Sequence, residues 1–275
     1  MAEEPPEEAW RIDVLIALGE AEHHSGEPGY RPVLREAAER AERLGDADRL
    51  ARAGLAGLSV VHWDRALAVE TERVMVLEAA LRARGDRADA MRARLLAVLA
   101  AGLLFAANRN RRRELSDEAL ALARRLADSS TLARVLHSRC VALWDPAMLA
   151  ERRANAAELR VLAADLGDPF AKVWASAYSF ETAMEGAEVE EADRHLEDVQ
   201  RNASELESTL WWAAFPRVGR VLLAGRLEEA DALAREALEI GLTTQRHDPV
   251  RVDAQPPAPS SRTPRRPPSP STRFE

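Results

Sequence analysis

The sequence predicts an all-α fold, an α-α superhelix of about six helix pairs, and three observations predict it. First, a mark made of a helix-ending residue followed by a small or acidic one returns roughly every 40 positions. It reads Leu44-Gly45-Asp46, Arg84-Gly85-Asp86, Leu126-Ala127-Asp128 and Leu166-Gly167-Asp168, then more weakly Leu206-Glu207-Ser208 and Arg246-His247-Asp248. Second, the hydrophobic share of 47% rests largely on Ala and Leu, with aromatics at only 5%, and Ala, Leu, Arg and Glu are all strong helix formers. Third, apolar residues between the marks recur at three and four, the period of one buried helix face.

Each interval holds two helices. The first opens at Pro5-Pro6, where a missing N–H does no harm, and runs through Ile12, Leu15, Ile16 and Leu18 to a break at Ser25-Gly26-Glu27-Pro28-Gly29. Its partner carries Val33, Leu34, Ala37, Ala38, Ala41 and Leu44. The second pair starts after Asp46, an N-cap residue, with Leu50, Gly54, Leu58 and Val61. It turns at Trp63-Asp64 and continues with Leu67, Val74, Leu77 and Leu81. The third pair repeats the plan with Leu95, Val98, Leu99 and Leu103, then Leu115, Ala119, Leu122 and Leu126.

In the fourth pair, Leu132-Ala133-Arg134 answers Leu50-Ala51-Arg52 and Trp144-Asp145 answers Trp63-Asp64. Asp145-Pro146 reads as a helix start, a cap followed by proline. The fifth pair ends on the stripe Val189, Ala192, Leu196, Val199, Ala203 and Leu206. The sixth begins with Trp211, Trp212 and Phe215, passes Gly225, and carries Ala230 and Ala237 five and twelve positions further on. This last pattern resembles a tetratricopeptide (TPR) repeat, which implies close packing of the second helix on the first. With units near 40 residues the fold reads as a TPR-like solenoid with longer helices. The repeat domain spans 1–250. Residues 251–275, rich in Pro, Ser and Arg with no apolar period, read as a disordered tail. A seventh pair is due after Asp248 and does not come; a shifted reading frame near residue 250 would account for that.

Across roughly residues 10 to 250 the chain also resembles the helical-repeat region of actinobacterial signal-transduction ATPases, the LuxR-type ATP-binding regulators and cyclase-linked AAA proteins. The stretches that carry this are Arg111-Arg-Arg-Glu-Leu-Ser-Asp-Glu-Ala-Leu-Ala-Leu-Ala-Arg-Arg-Leu126, Thr131-Leu-Ala-Arg-Val-Leu-His137 and Leu222-Leu-Ala-Gly-Arg-Leu-Glu-Glu-Ala230. The resemblance implies a sensor or scaffold module belonging to a transcriptional or signalling regulator. The chain has no G-x-x-x-x-G-K-[ST] loop, and its only lysine, Lys172, follows no glycine loop. No helix-turn-helix is seen after the repeats, so the expectation is the repeat module without its ATPase and DNA-binding domains. The alternative is a truncated fragment that self-associates through an uncapped C-terminal face or docks on a separate ATPase; a helical enzyme ranks last.

Net charge is −8. The stretch from Thr243 is net +3, leaving about −11 on the rest, which disfavours direct nucleic-acid binding. A single cysteine, Cys140, rules out an intrachain disulfide and suits a cytoplasmic location. No apolar run reaches the roughly 20 residues of a membrane span. His23 and His24 with Glu20 lack a third ligand of suitable type, so no metal is expected, nor any cofactor. Cys140 reads as an inert buried residue. The basic run Arg109 to Arg113 reads as a solvated turn pairing with acidic neighbours. No catalytic residue is singled out. Trp63, Trp144, Trp211 and Trp212 are the partner-binding candidates, because Trp is favoured at binding hot spots. The expected partner is a protein or peptide held in the concave groove lined by the first helix of each pair.

Overall fold

The computed structural model describes residues 6–24, 29–56, 71–204 and 210–244. Within them every regular element is helical and no β-strand occurs. The order is α1 (Pro6–His24), α2 (Tyr30–Leu44), α3 (Ala47–Leu55), α4 (Thr71–Arg84), α5 (Ala90–Gly102), α6 (Arg109–Leu126), α7 (Ser129–Ala142), α8 (Leu149–Leu166), α9 (Pro169–Glu185), α10 (Val189–Ala203), α11 (Leu210–Leu223) and α12 (Leu227–Thr244). A 3-10 turn at Pro146–Met148 precedes α8, one helical element more than six pairs require. The tail of residues 251–275, Trp63-Asp64, and the marks at Leu206 and Arg246 lie outside the described residues. No helix among the described residues is long and apolar enough to cross a membrane.

The recurring marks are two-residue corners. Gly45 and Gly167 take left-handed φ values of +75° and +65°, a conformation that costs a side-chain-bearing residue about 1–2 kcal/mol. That turn lets the next N–H reach back into the finished helix: Asp46 N–H donates to the Ala41 carbonyl at 3.0 Å and Asp168 N–H to the Ala163 carbonyl at 3.2 Å. Carbonyls that the helix end leaves open are thereby satisfied. The same aspartate starts the next helix. Asp46 accepts from the Asp48 and Arg49 N–H groups at 3.1 and 2.9 Å, and Asp168 from Ala171 N–H at 3.1 Å. Asp128 caps α7 in the same way through Ser130 and Thr131. Ahead of it, Ala127 holds φ +52° with a Cβ in place.

Two marks depart from the expectation. Gly85 is left-handed at φ +60°, but Asp86 caps nothing; Asp89, three residues later, accepts from Arg92 N–H at 2.9 Å and starts α5. Those three residues, set against an α5 of 13 residues where α7 has 14, lengthen this interval by two. Asp145-Pro146 starts the 3-10 turn, its carboxylate accepting from Ala147 N–H at 3.0 Å, and α8 itself begins at Leu149. Gly225 also corrects an expectation. It is left-handed at φ +76°, and a Cβ there would meet nothing within 4 Å. The turn requires this glycine, rather than close packing of one helix on another.

Each helix packs against the one before and the one after it. In addition, each odd-numbered helix touches the next odd-numbered one, from α1 through α11, so the odd helices form one continuous row. The core is accordingly a succession of local clusters. One gathers Ile12, Ile16, Leu34, Leu50, Leu77, Leu95 and Leu99 from α1 to α5. Others join Leu96, Leu122 and Val135, then Leu136, Leu159 and Trp174, then Val173, Val199 and Ala213. The expected stripe residues that are described are buried or half-buried, except two. Leu18, about 200° round the helix from Ile16, is exposed, and so is Val189, the first residue of α10. Leu58, Val61, Leu67 and Leu206 lie outside the described residues.

The corner geometry sets a measurable asymmetry. Ala127→Gly relieves a left-handed alanine and is expected to raise unfolding free energy by about 1 kcal/mol, whereas Gly45→Ala or Gly167→Ala lowers it by a similar amount. Urea unfolding followed by circular dichroism reads both; an Ala127→Gly protein no more stable than the parent would contradict the assignment.

Candidate interaction face

The row of odd helices presents a face whose residues follow from helical spacing. On α5, Arg94, Val98, Ala101 and, just past its end, Phe105 recur at four and three. On α7 the matching residues are Arg134, His137 and Val141, and on α9 Phe170, Trp174, Tyr178 and Glu181. The aromatic members converge. The His137 ring lies 6.0 Å from Phe170, 5.6 Å from Trp174 and 5.7 Å from Tyr178, and Trp174 lies 6.0 and 5.8 Å from Phe170 and Tyr178. These are edge-on and tilted contacts, the geometry that aromatic quadrupoles favour. Trp174 and Tyr178 are buried, while His137 and Phe170 are half-buried and form the accessible rim.

Burial, reinforced by the nearby Arg134 charge, lowers the His137 pKa to about 4. The ring is therefore neutral near pH 7. The Tyr178 hydroxyl, itself pushed well above its ordinary pKa by burial, shares a hydrogen bond with His137 Nδ1 at 3.2 Å, its direction set by the imidazole tautomer.

Arg94 sets this face apart in charge. It is half-buried, and its guanidinium donates no hydrogen bond and forms no ion pair among the described residues, whereas the other described arginines left so, Arg134 among them, are exposed. Burial, with the Arg134 charge as the second cause, lowers the Arg94 pKa, and only Glu20 of α1 opposes that.

Elsewhere, guanidinium groups reach carboxylates 33 to 38 positions away along the chain. The basic run behaves this way. Arg109 meets Asp145 at 3.0 Å, Arg111 meets Glu78 at 2.5 Å and Arg113 meets Glu151 at 3.3 Å. Arg112 departs from a solvated turn: it is buried and donates to the Leu104 carbonyl. Arg152, forty positions on, is also buried and binds both oxygens of Glu185 at 2.8 Å.

Beside that pair, burial raises the Glu181 pKa to about 7, while Arg152 opposes and Glu185 reinforces the shift. Cys140 is buried in the same region, and burial pushes its thiol up to about 12, so it is not a nucleophile near neutral pH.

The tryptophans singled out by the sequence fall differently. Trp144 is half-buried in the turn after α7, where its backbone N–H donates to the Val141 carbonyl at 3.1 Å. Trp211 and Trp212 lie in the first turn of α11, two odd helices further on; their side chains, and Trp63 altogether, lie outside the described residues. His23 is buried edge-on to Tyr30 at 4.7 Å. Among the described residues no group of three His, Cys, Asp or Glu side chains is placed to hold a metal ion. Sequence reasoning missed Phe170, Trp174 and Tyr178. Their four-residue spacing in a chain with 13 Trp, Tyr and Phe in all was the available signal.

The raised Glu181 pKa has a signed consequence. Folded-state protonation above the ordinary value of 4.5 contributes stability below that pH, and the contribution is lost as pH rises through about 7. His137, lowered from 6.5, acts oppositely: its contribution is present above 6.5 and lost as pH falls toward 4. Glu181→Gln is therefore expected to stabilise the protein by about 1–2 kcal/mol at pH 8 and by much less at pH 5, as read by urea unfolding at both values. An equal effect at the two pH values would refute the burial account. Compared with known proteins, the chain matches no family profile and no curated protein sequence.

Proposed function

We propose that this chain is a non-catalytic protein-interaction scaffold or sensor, a TPR-like superhelix of six helix pairs. It serves as the repeat region of an ATP-dependent transcriptional or signalling regulator in the cytoplasm. Its binding surface is the concave groove along the odd-helix row, and its ligand is a segment of a partner protein that carries acidic side chains. The observation that carries this reading is Arg94 with Arg134. In a chain of net charge −8, the Arg94 guanidinium is half-buried with no hydrogen bond or ion pair among the described residues, and Arg134, also without one, lies near both Arg94 and the His137 ring.

A guanidinium recognises a carboxylate through two parallel hydrogen bonds and with charge assistance. Half-burial of Arg94 strengthens the attraction relative to open water. Phe170 and His137 offer apolar contact to the residue next to the acid. The neutral His137 adds no competing positive charge and keeps Tyr178 in place.

Selection of a displayed random-peptide library on the purified protein tests this. Enrichment in Asp or Glu is expected. The selected peptides should bind at least tenfold more weakly to the Arg94→Gln/Arg134→Gln protein and weaken as salt rises. Enrichment without acidic residues, or binding that ignores both substitutions, would remove the electrostatic part of the reading. A library that yields no enriched sequence would remove the scaffold reading itself.

A further inference from the structure

Among the described residues, eight of the thirteen large apolar side chains that remain exposed lie on α1, α11 and α12, at the two ends of the helix row. On α1, Trp10 (66% exposed), Val14 and Leu18 follow one another at four-residue steps, with Ala17 and Ala21 beside them. This stripe lies on the side of α1 away from the buried Ile12 and Ile16. The other sides of the helix are taken. Glu8 pairs with Arg40 of α2 at 2.7 Å, and a Cβ on Gly19 would lie 2.5 Å from Leu34 of α2. Asp13 pairs with Arg49 and Arg52 of α3 at 2.8 and 2.5 Å. The stripe thus faces away from both neighbours.

At the far end, Ala230 and Leu233 of α12 pack with Val221 of α11. Leu227 (64% exposed), Ala234 and Leu238 (51% exposed) lie roughly a quarter turn round α12 from that contact. On α11, Ala213 is the residue that packs toward α9 and α10, and the exposed Leu222 lies about 180° from it. The two helices form an antiparallel hairpin, so equal rotations on them run in opposite senses. The two stripes therefore emerge on one common side, opposite α9 and α10. Along the row, that side of each pair is covered by the next odd helix: α3 lies against α1 and α2, α7 against α5 and α6, α11 against α9 and α10.

We infer that a second copy of this chain docks on that side, laying its α1 stripe of Trp10, Val14 and Leu18 against Leu222 of α11 and Leu227 and Leu238 of α12. Copies then join head to tail, continuing the unit-to-unit packing already present within the chain. The face bound and the face offered differ, so the contact is heterologous and repeats into rings or filaments rather than stopping at a two-fold dimer. The C-terminal face alone was expected from the sequence to self-associate; its partner here is the opposite end of the molecule. The inference stands apart from the groove and its ligand.

Sedimentation and light scattering of the full 275-residue chain test it. The unaltered protein should gain mass with concentration, past that of a dimer. A Val14→Glu/Leu18→Glu protein and a Leu227→Glu/Leu238→Glu protein, both changed only at exposed positions and checked for helicity by circular dichroism, should each be monomeric. Mixed in equal amounts they should form a dimer and nothing larger, because one intact head meets one intact tail. A second arm uses Leu18→Cys/Leu238→Cys, which should give a disulfide ladder of dimers, trimers and higher species on mild oxidation. A monomeric unaltered chain, a mixture that stays monomeric, or a Leu238→Cys protein that cross-links to itself as readily as the double variant would overturn the head-to-tail contact.

Discussion

A two-residue corner sets the geometry on which everything else in this protein depends. The first residue must take the left-handed conformation so that the chain can leave one helix while the N–H groups behind it still find carbonyls. The second must carry a short carboxylate that takes up the open N–H groups of the next helix. Gly45-Asp46, Ala127-Asp128 and Gly167-Asp168 do both jobs within two positions, leaving almost no slack between an even helix and the odd helix after it. With the entry and exit directions of each pair so constrained, apolar stripes of mostly Ala and Leu are enough to seat the helices. The row of odd helices is the accumulated result of that constraint.

This division of labour explains what could be read in the sequence. The corners combine residue types with strong local meaning at a regular interval, so the all-helical class and many helix boundaries were legible, though not the extra 3-10 turn at Pro146–Met148. Leu95, Val98, Leu99 and Leu103 are buried as their spacing indicates. Local meaning fails where several types serve. Asp86 and Asp89 are equally good caps by composition, and only the path of the chain chooses between them. Asp145-Pro146 carries both helix-start signals yet begins a 3-10 turn. The aromatic rim was hidden for another reason. His137 belongs to a different helix from Phe170, Trp174 and Tyr178, and their meeting is a fact of packing between pairs that no single-helix pattern announces.

Charge follows the same modular logic. Arg113 to Glu151, Arg124 to Glu158 and Arg153 to Glu188 join residues 38, 34 and 35 positions apart, about one unit along the chain. Exposed pairs of this kind contribute only about 0–1 kcal/mol each, so they do not hold the units together. They do favour one alignment of each pair on the next, since a slip by one helical turn would part each guanidinium from the carboxylate it holds. Arg112 and Arg152 carry the idea inward, burying a guanidinium at the same place in successive units with a different acceptor for each. Against this background Arg94, half-buried and without an acceptor among the described residues, is a departure from the local habit.

The separation of the core into small clusters also bears on how the molecule opens. Val173, Val199 and Ala213 form one cluster and Phe180, Ala183, Ala192 and Leu196 another, both on the seam between α9 and α10. Loosening at one end of that seam can therefore leave the other end seated, so the chain yields in patches rather than all at once.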